Sequence, residues 1–247
     1  MIGVGVLGVA QGAFTPAWSG VPASFPAREA LVYLSALISL LAGIGLVWRR
    51  TAAIASGPLL GSILIWALVF KVPPVFRAPT GTGVWWALGD SAVMAAASWV
   101  LYTWFAGARG PQHLFATGHL GLRIARALFG LGLIPFGIAH FTYLDRTVSM
   151  VPAWLPWHLA WAAFFGVTFI AAGVAVLIGA YARLAATLVT LQLGLFTLLV
   201  WVPIIVATPT ASDWTEFVSS WLLTAGAWVV ADSWRGPTGL ERHAAIG

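Results

Sequence analysis

At 247 residues the chain is 60% hydrophobic and only 8% charged, with fifteen tryptophans and a mean hydropathy of +0.94. Soluble domains carry roughly a quarter charged residues and have too little core to hide so much apolar surface, so lipid is the solvent for much of this chain. The absence of cysteine excludes disulfides, thiol chemistry and cysteine-ligated metal or iron–sulfur centres, and the net charge of +5 gathers at the ends of apolar runs, a pattern of membrane orientation rather than of a nucleic-acid partner.

Apolar runs of about twenty residues can span a bilayer, because a helix rises about 1.5 Å per residue and the hydrocarbon core is about 30 Å thick. The first run, over 1–14, is short, and with no basic segment ahead of it the run does not read as a signal peptide. Its Gly3-x-Gly5-x-x-Gly8 spells the dinucleotide fingerprint, but no strand precedes it, so close helix packing is the expectation. The other runs cover 28–48, 52–72, 84–106, 121–141, 156–178, 184–206 and 214–234, which makes eight helices. Pro26 and Pro156 are expected in first helical turns, where a missing N–H costs nothing. Pro73 and Pro203 are expected to close the third and seventh helices.

A spacing of 130 residues organises these runs. Val21-Pro22-Ala23-Ser24-Phe25-Pro26 answers Val151-Pro152-Ala153-Trp154-Leu155-Pro156, and Ala42-Gly43, Val72-Pro73 and Pro79-Thr80 recur at the same interval. The fold class that follows is an all-α membrane protein whose eight transmembrane helices form two tandem four-helix bundles. The first unit covers 1–106 and the second 120–234, with a linker at 107–119 and a tail at 235–247. Arg49, Arg50, Arg109, Arg123, Arg126, Arg183, Arg235 and Arg242 fall at one set of helix ends, against Arg28, Lys71, Arg77 and Arg146 at the other. The positive-inside rule makes the first set cytoplasmic and places linker, tail and both termini on that side of a bacterial-type inner membrane. An even number of helices per unit makes the repeat parallel, about an axis along the membrane normal.

An ionisable side chain within a spanning segment is costly, so each is a functional candidate. His140 lies near the outer end of the fifth helix, with Tyr143, Asp145 and Arg146 following and His158 just across the proline turn. Its imidazole can hydrogen-bond a quinone oxygen, relay a proton or ligate haem; the alternative is an interfacial histidine bonded to a carbonyl. Matching Gly8-Val9-Ala10-Gln11 to Gly137-Ile138-Ala139-His140 puts Gln11 in place of His140, either in a ligand wall or as an interhelical hydrogen-bonder like Gln192. Asp90 sits about six residues into the fourth helix, where Lys71 or Arg77 can neutralise it or share a proton role with it. No metal-ligating, nucleophilic or phosphate-binding constellation is present.

At Gly137-Ile138-Ala139-His140-Phe141, the Val151–Pro156 turn and the Gly166–Gly179 helix, the chain resembles a DoxX-type membrane protein, most clearly over 123–203. The resemblance implies four-helix units and an association with thiosulfate:quinone oxidoreductase membrane subunits and other redox assemblies. It also brings a departure: where relatives often carry a glutamate in the second helix, this chain has Ser39 and Phe169. Two readings follow. One is a membrane subunit of a redox assembly, with a quinone-like or lipidic ligand beside His140, Tyr143, Trp154 and His158, and with electron carriers on a protein partner. The other is a structural scaffold, or a transport-like protein that binds lipid without redox chemistry.

Overall fold

The computed structural model describes residues 1–106 and 117–235, so all but the last three residues of the expected linker, and the tail beyond Arg235, lie outside the described residues. Among the described residues the chain is all-helical, without a strand. In order the helices are α1 (Ile2–Gln11), α2 (Arg28–Val47), α3 (Arg49–Arg77), α4 (Thr82–Ala106), α5 (Gly118–Thr142), α6 (Leu144–Ser149), α7 (His158–Ile178), α8 (Ala182–Ala207) and α9 (Ala211–Asp232). Six of these, α2, α3, α4, α5, α7 and α8, are long and apolar enough to cross a membrane. The ten-residue α1 is too short for that set, and α9, with Asp213, Glu216 and Asp232 among its 22 residues, also stands outside it.

Two expectations about proline are corrected. Pro73 and Pro203 do not close their helices. In α3 a π turn at Ala67–Lys71 precedes a final segment, Val72–Arg77, and in α8 the same happens at Thr197–Trp201 and Val202–Ala207. A proline ring crowds the carbonyl four residues back and leaves it without a donor; a wider turn just upstream makes that room, so the helix runs on. Pro26 and Pro156 lie outside α2 and α7, two residues before the first helical position. The caps are Ala27 and Trp157, both left-handed at φ 57, and each turns the chain into its helix only after the proline has passed.

Each long helix packs against the next in sequence, α1 meets α9 to close the ring, and α4 and α9 touch across the middle. α4 belongs to both cores. Its Val93 and Val100 join Phe129, Leu133, Phe169, Val189 and Val230, whereas its Met94 joins Val4, Trp18, Leu59, Ile63 and Trp66. Backbones approach closely where glycine allows it. A Cβ on Gly132 would fall 2.9 Å from the Gly89 oxygen, and one on Gly137 would fall 2.5 Å from the Gly166 oxygen. In α1, Gly5 lies against Ala36 O and Gly8 against the Ala36 methyl, so the glycines of the apparent fingerprint serve helix packing.

The segment between α1 and α2 folds inward. Trp18 is buried, donates its indole N–H to Ser39 Oγ at 2.7 Å and meets Trp66 edge-on at 5.1 Å. Trp66 in turn donates to Ser19 O at 3.2 Å. Gly20, at φ +100, lets this segment pass the α3 backbone, since a Cβ there would lie 3.0 Å from Phe70 O.

Candidate functional site

His140 arises from the last turns of α5. Its Nδ1 donates to Phe136 O at 2.8 Å, one turn back, so in the neutral ring Nε2 is the acceptor. The ring lies 5.4 Å from that of Phe169, and its Cβ passes over Gly166. His140 is therefore level with Gly166–Phe169 of α7. His158 opens α7 eight residues earlier, about 12 Å further out along the helix at 1.5 Å per residue. The histidines occupy separate levels. His158 Nε2 is buried without a hydrogen-bond partner among the described residues.

The aromatic residues expected around His140 do not enclose it. Trp154 is 70% exposed and Trp157 80% exposed, where their rings suit a membrane–water interface. Tyr143 turns to the other side of α5, its ring 6.1 Å from Trp86 of α4, beside a 3.2 Å bond from Thr82 Oγ1 to Thr142 Oγ1. Asp145 and Arg146 sit exposed on α6, and Arg146 is close enough to Glu216 of α9 for their charges to interact.

Gln11 ties α1 to α9. Its Nε2 donates to Ala211 O at 2.9 Å, and its Oε1 accepts from Thr215 Oγ1 at 2.9 Å. The packing also corrects its match with His140. Gly5 sits on Ala36 and Leu40 as Gly137 sits on Gly166 and Ile170, and Gly8 faces Ala36 as His140 faces Gly166. In these contacts Gly8, and not Gln11, is the residue of α1 that faces α2 as His140 faces α7. Gln192 is likewise an interhelical bonder, accepting from Thr168 Oγ1 at 2.7 Å and donating to Phe165 O at 3.4 Å.

Lys71 is 2% exposed, and its ammonium donates to Ser19 Oγ at 2.7 Å and Pro16 O at 3.3 Å. Asp90 feels the charge of Lys71 but makes no direct ion pair with it, and Glu216 adds a like charge from α9. Lys71, Asp90, Glu216 and Arg146 thus form a chain of interacting charges between the two halves. The sequence does not single out Glu216; its signal is its place early in α9, as Asp90 is early in α4. Ser19 carries no such signal, because its partner is 52 residues away.

Ser39 accepts the Trp18 indole and donates to Ser35 O at 2.8 Å, while Phe169 packs on Phe136 and His140. Both positions are therefore filled by packing and bonding. A buried hydroxyl cluster joins the π turn of α8 to α9: Thr197 Oγ1 lies 2.6 Å from Ser220 Oγ and 3.5 Å from Thr224 Oγ1. Among the described residues no three His, Asp or Glu side chains gather as a metal-binding group. Two cavities lie away from His140. One of about 510 Å³ is bordered by Tyr181, Arg183 and Trp234. The other, of about 420 Å³, lies between α2, α4 and α9 beside the first turn of α1.

No family model matches the chain, and no curated protein and no solved structure matches it.

Proposed function

We propose that the chain is an integral protein of a bacterial-type cytoplasmic membrane, made of two tandem DoxX-like units with eight spans and both termini cytoplasmic, and that it serves as a membrane scaffold. The observation that carries the scaffold reading is where the buried polar groups go. Gln11, Gln192, Lys71 and Thr197 all bond to neighbouring helices or to the inward-folded segment, as parts of a rigid frame do. The repeat is supported by the π turns at Ala67–Lys71 and Thr197–Trp201 and by the left-handed caps Ala27 and Trp157, each pair 130 residues apart. The orientation is supported by eight basic residues on one set of ends against four on the other. Reporter fusions at Gly110 and at the C-terminus test it: both should read cytoplasmic, and a periplasmic signal at either refutes the topology.

A second reading rests on His140 Nε2, an acceptor with no partner among the described residues. A quinol hydroxyl can donate to it, with Phe169 and Phe136 as the apolar wall and the electron carriers on a protein partner. Solvent extraction of the purified protein separates the readings. Phospholipid alone supports the scaffold. A quinone that disappears in His140→Ala supports the second reading, as would a haem spectrum.

A further inference from the structure

The 420 Å³ cavity lies between the two halves and is not used by either reading. Its floor is Leu59 and Ile63 of α3 with Val93 and Ala97 of α4, all buried. Gly43 of α2 and Gly226 of α9 leave the side walls without bulk, and Ile2 and Ala225 form an exposed rim. Ser98 supplies a hydroxyl in a lining that is otherwise almost wholly apolar. From Val93 to Leu101 the groove runs along eight residues of α4, about 12 Å. A single extended apolar chain can lie along a groove of that length.

The charge at its end names the rest of the occupant. Leu46 lines the groove near the end of α2, and Arg49 follows three residues later at the start of α3, exposed and without a bonded partner among the described residues. On that face the described residues carry Arg49, Arg50, Arg123, Arg126, Arg183 and Arg235 against Asp232 alone, and Asp232 is already paired with Arg235 at 3.0 Å. Basic clusters on the cytoplasmic side of helix bundles attract anionic headgroups. Lipid tails are as apolar as leucine, so selectivity arises from shape and headgroup rather than from hydrophobicity. We infer that this groove is a binding site for one acyl chain of an anionic phospholipid, whose phosphate is held by Arg49. The inference rests on the membrane reading alone and is independent of any ligand at His140.

Native mass spectrometry of the delipidated full chain, titrated with dioleoylphosphatidylglycerol or dioleoylphosphatidylcholine, tests it. One phosphatidylglycerol should survive detergent that strips the others. Ala225→Phe, which fills the rim, should weaken its retention at least fivefold, whereas Ile65→Phe, on an exposed face of α3, should not. Arg49→Gln, a surface change that spares the fold, should lower the preference for the anionic lipid about fivefold. Equal retention of both lipids by the unaltered chain overturns the inference, as does retention unchanged in Ala225→Phe. Photo-crosslinking from position 225 to a polypeptide rather than to lipid also overturns it. If the chain instead leaves the membrane fraction in high salt and carbonate, it is the membrane reading that fails.

Discussion

Ala27 and Trp157, 130 residues apart, hold the same left-handed backbone conformation, each as the cap before a long apolar helix. Neither is glycine, and the conformation costs an L-residue roughly 1–2 kcal/mol; the exposed Ala27 methyl offers nothing against that cost, whereas the Trp157 ring suits an interface. Ala27→Gly should raise stability in detergent by roughly 0.5–1 kcal/mol after the entropy of the freer unfolded chain is deducted, and Trp157→Gly by less, because it also removes the interfacial ring. Ala27→Val should lower it by more. A thermal melt in which Ala27→Gly is less stable than the parent would show that its cap is not left-handed.

Gln11 makes two of the bonds that hold α1 to α9, and interhelical hydrogen bonds in membranes average about 0.6 kcal/mol each. Gln11→Leu should therefore cost about 1 kcal/mol. Gln11→Glu should cost more, because a carboxylate would face the Ala211 carbonyl. Chemical unfolding in detergent measures both. No change in Gln11→Leu would mean that α1 is held by its glycines alone.

The contrast between Gln11 and the proline turns shows what the sequence could express. The 130-residue spacing can be read from prolines and paired motifs that have few equivalents elsewhere in the chain. The helices themselves were legible from apolar run length. The register of α1 was not, because Gly5 and Gly8 stand three residues apart and either can be set against Gly137. Only contacts with Ala36 and Leu40 choose between them. The π turns leave no mark on a 3.6-residue pattern, so Pro73 and Pro203 read as helix ends. The Lys71–Ser19 and Trp18–Ser39 bonds join residues whose meeting depends on an irregular segment folding inward, which periodicity does not encode.

Lys71 is held by Ser19 and Pro16, with Asp90 as its electrostatic counterpart. A hydrogen bond to a charged group contributes about 1.5–3 kcal/mol, so Ser19→Ala should destabilise by that order. In a Lys71→Met background the same change should cost less than half as much, and the cost of Asp90→Asn should shrink with it. Coupling below about 0.5 kcal/mol in either double-mutant cycle would mean that Lys71 does not organise these groups.

The closest backbone approaches occur at matching places in the two halves. A methyl on Gly137 would lie 2.5 Å from Gly166 O and from Ile170 Cγ1, and one on Gly5 would lie 2.6 Å from Ala36 O and Leu40 N. Backbone cannot yield at these points as a flexible side chain would, so α5 must separate from α7, and α1 from α2. Overpacking of this kind typically costs about 1–3 kcal/mol, and Gly137→Ala and Gly5→Ala should each fall in that range. A methyl on Gly61 of α3 would meet no atom within 4 Å, so Gly61→Ala should be neutral or gain up to about 1 kcal/mol from helix propensity. Unfolding of the three variants in one detergent compares them directly. If Gly137→Ala and Gly5→Ala behave like Gly61→Ala, the helix contacts on either side of the 130-residue register are looser than their geometry states. If both fall together, the first two helices of each half are joined by the same glycine seam.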